Sequence, residues 1–211
     1  MNVSRESMRL YVVTDRSWLH GKSLESQVEL ILQQGATFLQ LREKELPFED
    51  FVQEARVIKK LTDRYHIPFV INDNIDVALA VDADGVHVGQ HDLNAKQVRE
   101  KLGCGKIIGV SAATVEEAVT AQENGADYLG IGAVFHTSTK EDAKDIPFEE
   151  IQKICNAVKI PTVGIGGVNE TSMPKLKGCG LDGAAVISAI FAQEDVGEAT
   201  RKLVQLSKTI F

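Results

Sequence analysis

Side chains able to do chemistry are not scattered along this chain; they gather just after short apolar runs. In "AVFHTSTKEDAKD", Ala133–Asp145, three hydroxyls and a cation stand in a row as Thr137, Ser138, Thr139 and Lys140. A phosphate needs such donors, although a solvated loop can carry them too. Similar stretches hold Gln40, Arg42, Glu43 and Lys44, then Asn72 and Asp73, then Gln90, His91 and Asp92. Further along come Ser111, the corner Gly166–Gly167, and Ser188. Two carboxylates with few other protein ligands suit a magnesium ion that keeps its waters and bridges substrate phosphates. These residues suggest two anion sites. One combines Mg²⁺ with Arg42, Lys44 and Lys140. The other uses hydroxyls and backbone N–H groups at Thr137, Ser138, Thr139, Gly167 and Ser188. An enzyme that joins a pyrophosphorylated substrate to a monophosphorylated one needs both.

Each feature also has a plainer reading. Asp73 can serve as the cap of a helix beginning near Ile75, and Asp92 of one beginning near Asn94. Lys44 and Lys140 can be solvated charges, and "GIGG" can be simple close packing. His87 and His91 are spaced like a helical zinc pair, but a strand and its exit loop do not put that spacing on one face. His20 and His66 read as surface residues.

The elements that must position these groups alternate regularly. Strands are expected at Leu10–Val13, Phe38–Leu41, Pro68–Ile71, Gly85–Val88, Ile107–Val110, Tyr128–Ile131, Thr162–Ile165 and Ala184–Ile187. Segments of helical period lie between them, among them "SLESQVELILQQG", with a serine cap and a closing Gly35. An echo recurs in "DADGVHVGQ", "GADYLGIGA" and "GLDGAAVIS", each with an aspartate just before a strand. Continuous apolar strands with no hairpin signals predict an α/β fold with a parallel sheet covered by helices. Eight βα units predict a single (β/α)8 TIM barrel over residues 1–211, with residues 1–8 as a short lead-in. A doubly wound open sheet is the alternative, but the G-x-G-x-x-G that should follow the first strand is missing. In a barrel the chemical residues above all fall at strand ends, where such folds keep their active sites.

Bulk properties narrow the function. A net charge of −7 argues against general nucleic-acid binding. No run approaches the roughly 18 apolar residues of a membrane span, and no signal peptide is evident. Cys104, Cys155 and Cys179 are odd in number and widely spaced, as expected of reduced thiols in the cytoplasm. The sequence leaves a homo-oligomer open.

The ordered motifs "LYVVTD", "QLREK", "INDNIDVALAVDADGVHVGQHD", "IGVSAAT", "GADYLGIGAVFHTSTK", "VGIGGV" and "DGAAVISAI" resemble the thiamine-phosphate synthase family over nearly the whole chain. The resemblance implies a transferase of thiamine biosynthesis. It would condense an amino-hydroxymethylpyrimidine pyrophosphate with a hydroxyethylthiazole phosphate, or its carboxylated form, and release pyrophosphate. It further implies a pyrimidine-pyrophosphate site at Gln40, Leu41, Arg42, Glu43, Lys44, Asn72, Ser111 and Lys140, with Mg²⁺ on Asp73 and Asp92. The thiazole phosphate would lie on Thr137, Ser138, Thr139, Gly167, Ile187 and Ser188. Ser111 and Lys140 would assist a dissociative reaction in which pyrophosphate leaves before the thiazole nitrogen attacks. His91, Ala113 and His136 depart from the family pattern. Rival readings are a thiazole tautomerase, a non-catalytic thiamine-pathway binding protein, and a Schiff-base aldolase. The aldolase is disfavoured because Lys44 and Lys140 fall in loops rather than on strand ends.

Overall fold

The structure is a computed structural model that describes residues 3–19, 21–90, 92–136 and 145–211. His20, His91, Thr137, Ser138, Thr139 and Lys140 lie outside the described residues. Eight parallel strands close into a barrel in chain order. They are β1 (Leu10–Val13), β2 (Phe38–Leu41), β3 (Phe69–Asn72), β4 (Gly85–Val88), β5 (Ile107–Ala112), β6 (Tyr128–Gly132), β7 (Thr162–Ile165) and β8 (Gly183–Val186). Strand β8 pairs back onto β1, so no edge is left open.

Two residues expected in strands are not there. Pro68 has no N–H to give a ladder; only its carbonyl takes part, accepting from Leu39 N at 3.0 Å. Ile187 instead turns the chain at φ −123° and ψ −86°, leading into α7 (Ser188–Phe191).

Five of the helices begin at a side-chain cap, formed by Ser23, Asn74, Asn94, Thr114 and Asp195. Helix α1 (Leu24–Gln33) begins where the Ser23 side chain accepts from Ser26 N at 3.2 Å. The others between strands are α2 (Phe48–Tyr65), α3 (Ile75–Ala80), α4 (Ala95–Leu102), α5 (Val115–Glu123) and α6 (Phe148–Ala157), and α8 (Val196–Ile210) closes the chain. The β7–β8 crossover is the exception, carrying only a 3-10 turn at Met173–Leu176. Pro174 lies at its start and Gly178 and Gly180 soon follow, both at positive φ, which leaves little room for a longer helix.

Period-two alternation sorts the strand residues. Tyr11, Val13, Phe38, Val70, Ile107, Tyr128, Val163 and Ala185 fill the barrel interior with Met8 from the lead-in. Their neighbours, such as Leu10, Val12, Leu39 and Leu41, face outward into the helix layer.

The aspartate echo has a structural cause. At the N-terminal end of the barrel the carboxylates of Asp84, Asp127 and Asp182 each accept from a backbone N–H of the preceding strand. The donors are Phe69, Ile108 and Thr162, each at 2.8 Å. The backbone N–H of each aspartate returns a bond to the same residue's carbonyl, at 2.9, 2.7 and 2.9 Å. Thr37 does the same work between β2 and β1, accepting from Leu10 N at 2.9 Å. Four strand pairs are thus stapled by one device. Arg99 and Arg5 brace two of the staples, reaching Asp127 and Asp182 at 2.7 Å.

At the other end, a charge cluster anchors the loop after β2. Arg16, in a 3-10 turn capped by Asp15, binds Glu43 at 3.2 Å and Glu54 of α2 at 2.5 Å. The Glu43 side chain is only 4% exposed. Burial and the facing Glu54 carboxyl push Glu43 up to about 7.

Two outcomes are expected from this architecture. Asp127→Ala should lower the urea-unfolding free energy by about 1–3 kcal/mol, because Ile108 N loses its acceptor and Arg99 its counter-ion. A loss below half that range would mean the staples are incidental. For Glu43, a folded-state pKa above the unfolded one means the folded chain binds the proton more tightly. The resulting stability is full below about 4.5 and is lost as pH rises through about 7. Glu43→Gln should therefore flatten the decline between pH 5 and 8, by on the order of 1–3 kcal/mol. Parallel wild-type and variant curves would overturn that assignment.

Candidate active site

At the C-terminal ends of the strands lies a cavity of about 340 Å³. Strand parity decides which side chains reach it. From β2 and its exit, Gln40, Arg42 and Lys44 line the cavity, whereas Leu41 and Glu43 do not. Leu41 turns into the outer core and Glu43 toward Arg16, so neither side chain faces the space in which a ligand would sit. The backbone of Arg42 is held by Thr14, a fully buried residue whose Oγ1 accepts from Arg42 N at 3.0 Å. Asn72, Asp73, Asp92, Ser111, Gly167, Ile187 and Ser188 also line the cavity. Ten of the residues expected at the site therefore meet in one place: these seven with Gln40, Arg42 and Lys44.

The plain reading of the two aspartates as helix caps fails. Asn74 caps α3, accepting from Val77 N at 3.0 Å, and Asn94 caps α4 through a full capping box with Gln97. Both aspartates are left to face the cavity. Asp73 sits in a left-handed conformation, φ 58°, which few non-glycine residues adopt. Its N–H is tied to the His87 carbonyl at 2.8 Å, and its Oδ2 accepts from Asn72 Nδ2 at 2.6 Å. Asp92 is fixed by a tight turn in which Gly89 N donates to its Oδ2 at 2.8 Å.

Partial burial and the neighbouring Asp92 carboxylate push Asp73 up to about 6, against the pull of Asn72 and Arg42. Two hard oxygen donors repelling each other this way fit a divalent cation, which would relieve the repulsion. Among the described residues no larger cluster of His, Cys, Asp and Glu is placed to hold a metal. Waters or phosphate oxygens would have to complete the shell, as magnesium prefers.

The opposite wall is built from backbone. Gly167 has φ 64°, and a Cβ there would come within 2.4 Å of the His136 carbonyl oxygen. The chain leaving β6 lies directly against this corner, with Val134 N on Ile165 O at 2.9 Å and Phe135 N on Gly166 O at 3.1 Å. Ser188 opens α7 beside it. The segment leading into Thr137 is therefore held at the cavity rim by the glycine corner.

Sequence reasoning passed over one group. His87, set aside as a zinc candidate, faces inward from β4 and lines the cavity. Its Nε2 lies 3.0 Å from Ser111 Oγ and its Nδ1 2.9 Å from the Tyr128 hydroxyl. Tyr128 meets Tyr11 at 2.7 Å, and Tyr11 accepts from Gln40 Nε2 at 2.7 Å. Parity was the available signal: Tyr11, Gln40, His87, Ser111 and Tyr128 all occupy inward positions of their strands. Gln90, also unassigned, lines the cavity and donates to the Ser111 carbonyl at 2.5 Å.

Comparison with known proteins places the chain in a family. The sequence pattern described as "Thiamine monophosphate synthase" matches residues 10–190. A thiamine-phosphate synthase of Ruminiclostridium cellulolyticum is 50% identical over 203 residues, 96% of this chain and 97% of that protein. One from Clostridium tetani is 50% identical over 194 residues, covering 92% and 93%. Among solved structures, the thiamine phosphate pyrophosphorylase of Pyrococcus furiosus superposes with a TM-score of 0.91 at 40% identity, covering 98% of each chain. With an eight-stranded parallel barrel, a pattern match over residues 10–190 and relatives alike over nearly their whole length, the chain belongs to the thiamine monophosphate synthase family.

Proposed function

We propose that the cavity joins an aminopyrimidine-methyl pyrophosphate to a thiazole phosphate, giving thiamine phosphate and pyrophosphate. The observation that carries this reading is the polarity of one cavity. Arg42, Lys44, Asp73 and Asp92 stand on one side, and the glycine corner with Ser188 stands on the other. A pyrophosphate leaving group and a separate monophosphate need that division.

In the reaction the bond from the pyrimidine methylene carbon to the pyrophosphate oxygen breaks, and its electron pair leaves with the oxygen. The thiazole nitrogen then supplies the pair for the new carbon–nitrogen bond. No protein nucleophile is required. Arg42 and Lys44 bind the pyrophosphate, and Ser111 donates a hydrogen bond as negative charge grows there. Lys140, outside the described residues, is assigned the same task from the sequence alone. Magnesium bound at Asp73 and Asp92 would neutralise charge on the leaving group. Backbone N–H groups at Gly167, the Ser188 hydroxyl and the hydroxyls of Thr137, Ser138 and Thr139 hold the thiazole phosphate, so that its nitrogen is kept close. Among the described residues no helix is long and apolar enough to cross a membrane. The three cysteines are free thiols, which suits the reducing cytoplasm.

Incubating the purified protein with both substrates and Mg²⁺ should yield thiamine phosphate and pyrophosphate in equal amounts, and a chelator should stop the reaction. A folded sample that makes neither would overturn the proposal. Asp73→Ala and Lys140→Ala should each lower turnover by about a hundredfold or more while leaving the circular dichroism spectrum unchanged. Near-normal rates in both would remove the charge-stabilising roles.

A further inference from the structure

Tyr11, Tyr128 and His87 take no part in the steps above, yet the barrel is shaped around them. A Cβ on Gly109 would lie 2.1 Å from Tyr128 Cζ, and one on Gly130 would lie 3.1 Å from His87 Cε1. Both tyrosines are essentially inaccessible to solvent, and burial raises both phenols well above their ordinary range. Each therefore keeps its single hydrogen.

Hydrogen bonds run unbroken from Gln40 through Tyr11, Tyr128 and His87 to Ser111. One hydrogen occupies each link, so the line has a direction. The Gln40 amide nitrogen donates to Tyr11. The Tyr11 hydrogen must then go to Tyr128, and the Tyr128 hydrogen to His87 Nδ1. His87 is left with its hydrogen on Nε2, where it donates to Ser111 Oγ. Both ends of the line are fixed by this. Gln40 retains its carbonyl oxygen for the cavity, and Ser111 retains its hydroxyl hydrogen. Reversing the line would invert both ends together.

We propose that Tyr11, Tyr128 and His87 are positioning residues that set the hydrogen-bonding polarity of the cavity, making Gln40 an acceptor for the ring amino group and Ser111 a donor to the departing oxygen. The proposal rests on the function given above. In that reaction positive charge spreads onto the amino group while negative charge grows on the leaving oxygen. The line offers an acceptor to the first and a donor to the second, already oriented before the bond breaks.

The test is Tyr128→Phe, which removes one oxygen from the middle of the line and touches neither end. Turnover should fall about tenfold or more with KM changed much less, because the lost alignment matters most in the transition state. Preference for the amino substrate over its oxo analogue should fall by a similar factor. Nitrogen NMR of labelled protein, with His87 assigned through His87→Gln, should find the Nε2–H tautomer in the wild type and lose that preference in Tyr128→Phe. Tyr11→Phe breaks the line one link away and should behave alike if the first variant folds poorly. A wild-type Nδ1–H tautomer, or unchanged turnover and preference in a folded variant, would overturn the proposal. A wild type that makes no thiamine phosphate would sink the functional reading instead, and the tautomer would still decide the polarity.

Discussion

A polar group pointing into a closed barrel has no bulk water to turn to, and the interior of this one depends on that constraint. Every strand is buried on both faces, so half of each strand must find its partners among the inward residues of the other seven. Lower down the solution is apolar, with Met8, Phe38, Ile107 and Val163 in contact. Higher up, the two tyrosines satisfy each other, and their remaining capacity passes to Gln40 and His87. The aromatic rings pack as they do so: Tyr11 stands 4.6 Å from Phe38 and Phe38 5.4 Å from Tyr128, centroid to centroid. The floor of the cavity is thus the place where apolar packing gives way to a hydrogen-bonded line, and the line ends on two residues that line the cavity, Gln40 and Ser111.

The two ends of the barrel divide the work. At the N-terminal end, Thr37, Asp84, Asp127 and Asp182 spend their oxygens on backbone N–H groups of the neighbouring strand, which joins the strands in pairs. The other end carries the cavity. Asp73 at φ 58° holds a conformation that few non-glycine residues adopt, Gly167 at φ 64° holds one that glycine alone adopts freely, and both line the cavity. A rigid, stapled base lets the rim keep such geometry without loosening the barrel.

Much of this was legible in the sequence because the signals are local. Six of the eight expected strands begin where the structure begins them, and Pro68 and Ile187 are the only residues wrongly included. Ten of the expected site residues converge because a parallel barrel brings all its strand ends to one rim. What sequence reading missed was not local. His87 was judged by its spacing to His91, whereas its neighbours are Tyr128 and Ser111, 41 and 24 residues away. The plainer reading of Asp73 and Asp92 as caps missed by one residue and by two, because Asn74 and Asn94 stood ready to cap the same helices. The short β7–β8 crossover likewise breaks a rhythm that the other units keep.

The stretch "QLREK" raises the sharpest electrostatic question: why set a glutamate between two cations that line the cavity, in a chain already seven charges negative? Parity supplies the answer. Arg42 and Lys44 point one way into the cavity, and Glu43 points the other way, where Arg16 and Glu54 enclose it. Arg16 therefore holds Glu43 away from the cavity without lining it. It gives Glu43 a partner outside the cavity. The acid that remains in the cavity, Asp73 with Asp92, stands where a cation would bring it onto the side of the anion. Net charge thus says little about the charge inside this cavity. Which face each charge occupies says nearly everything, and strand alternation assigns the face.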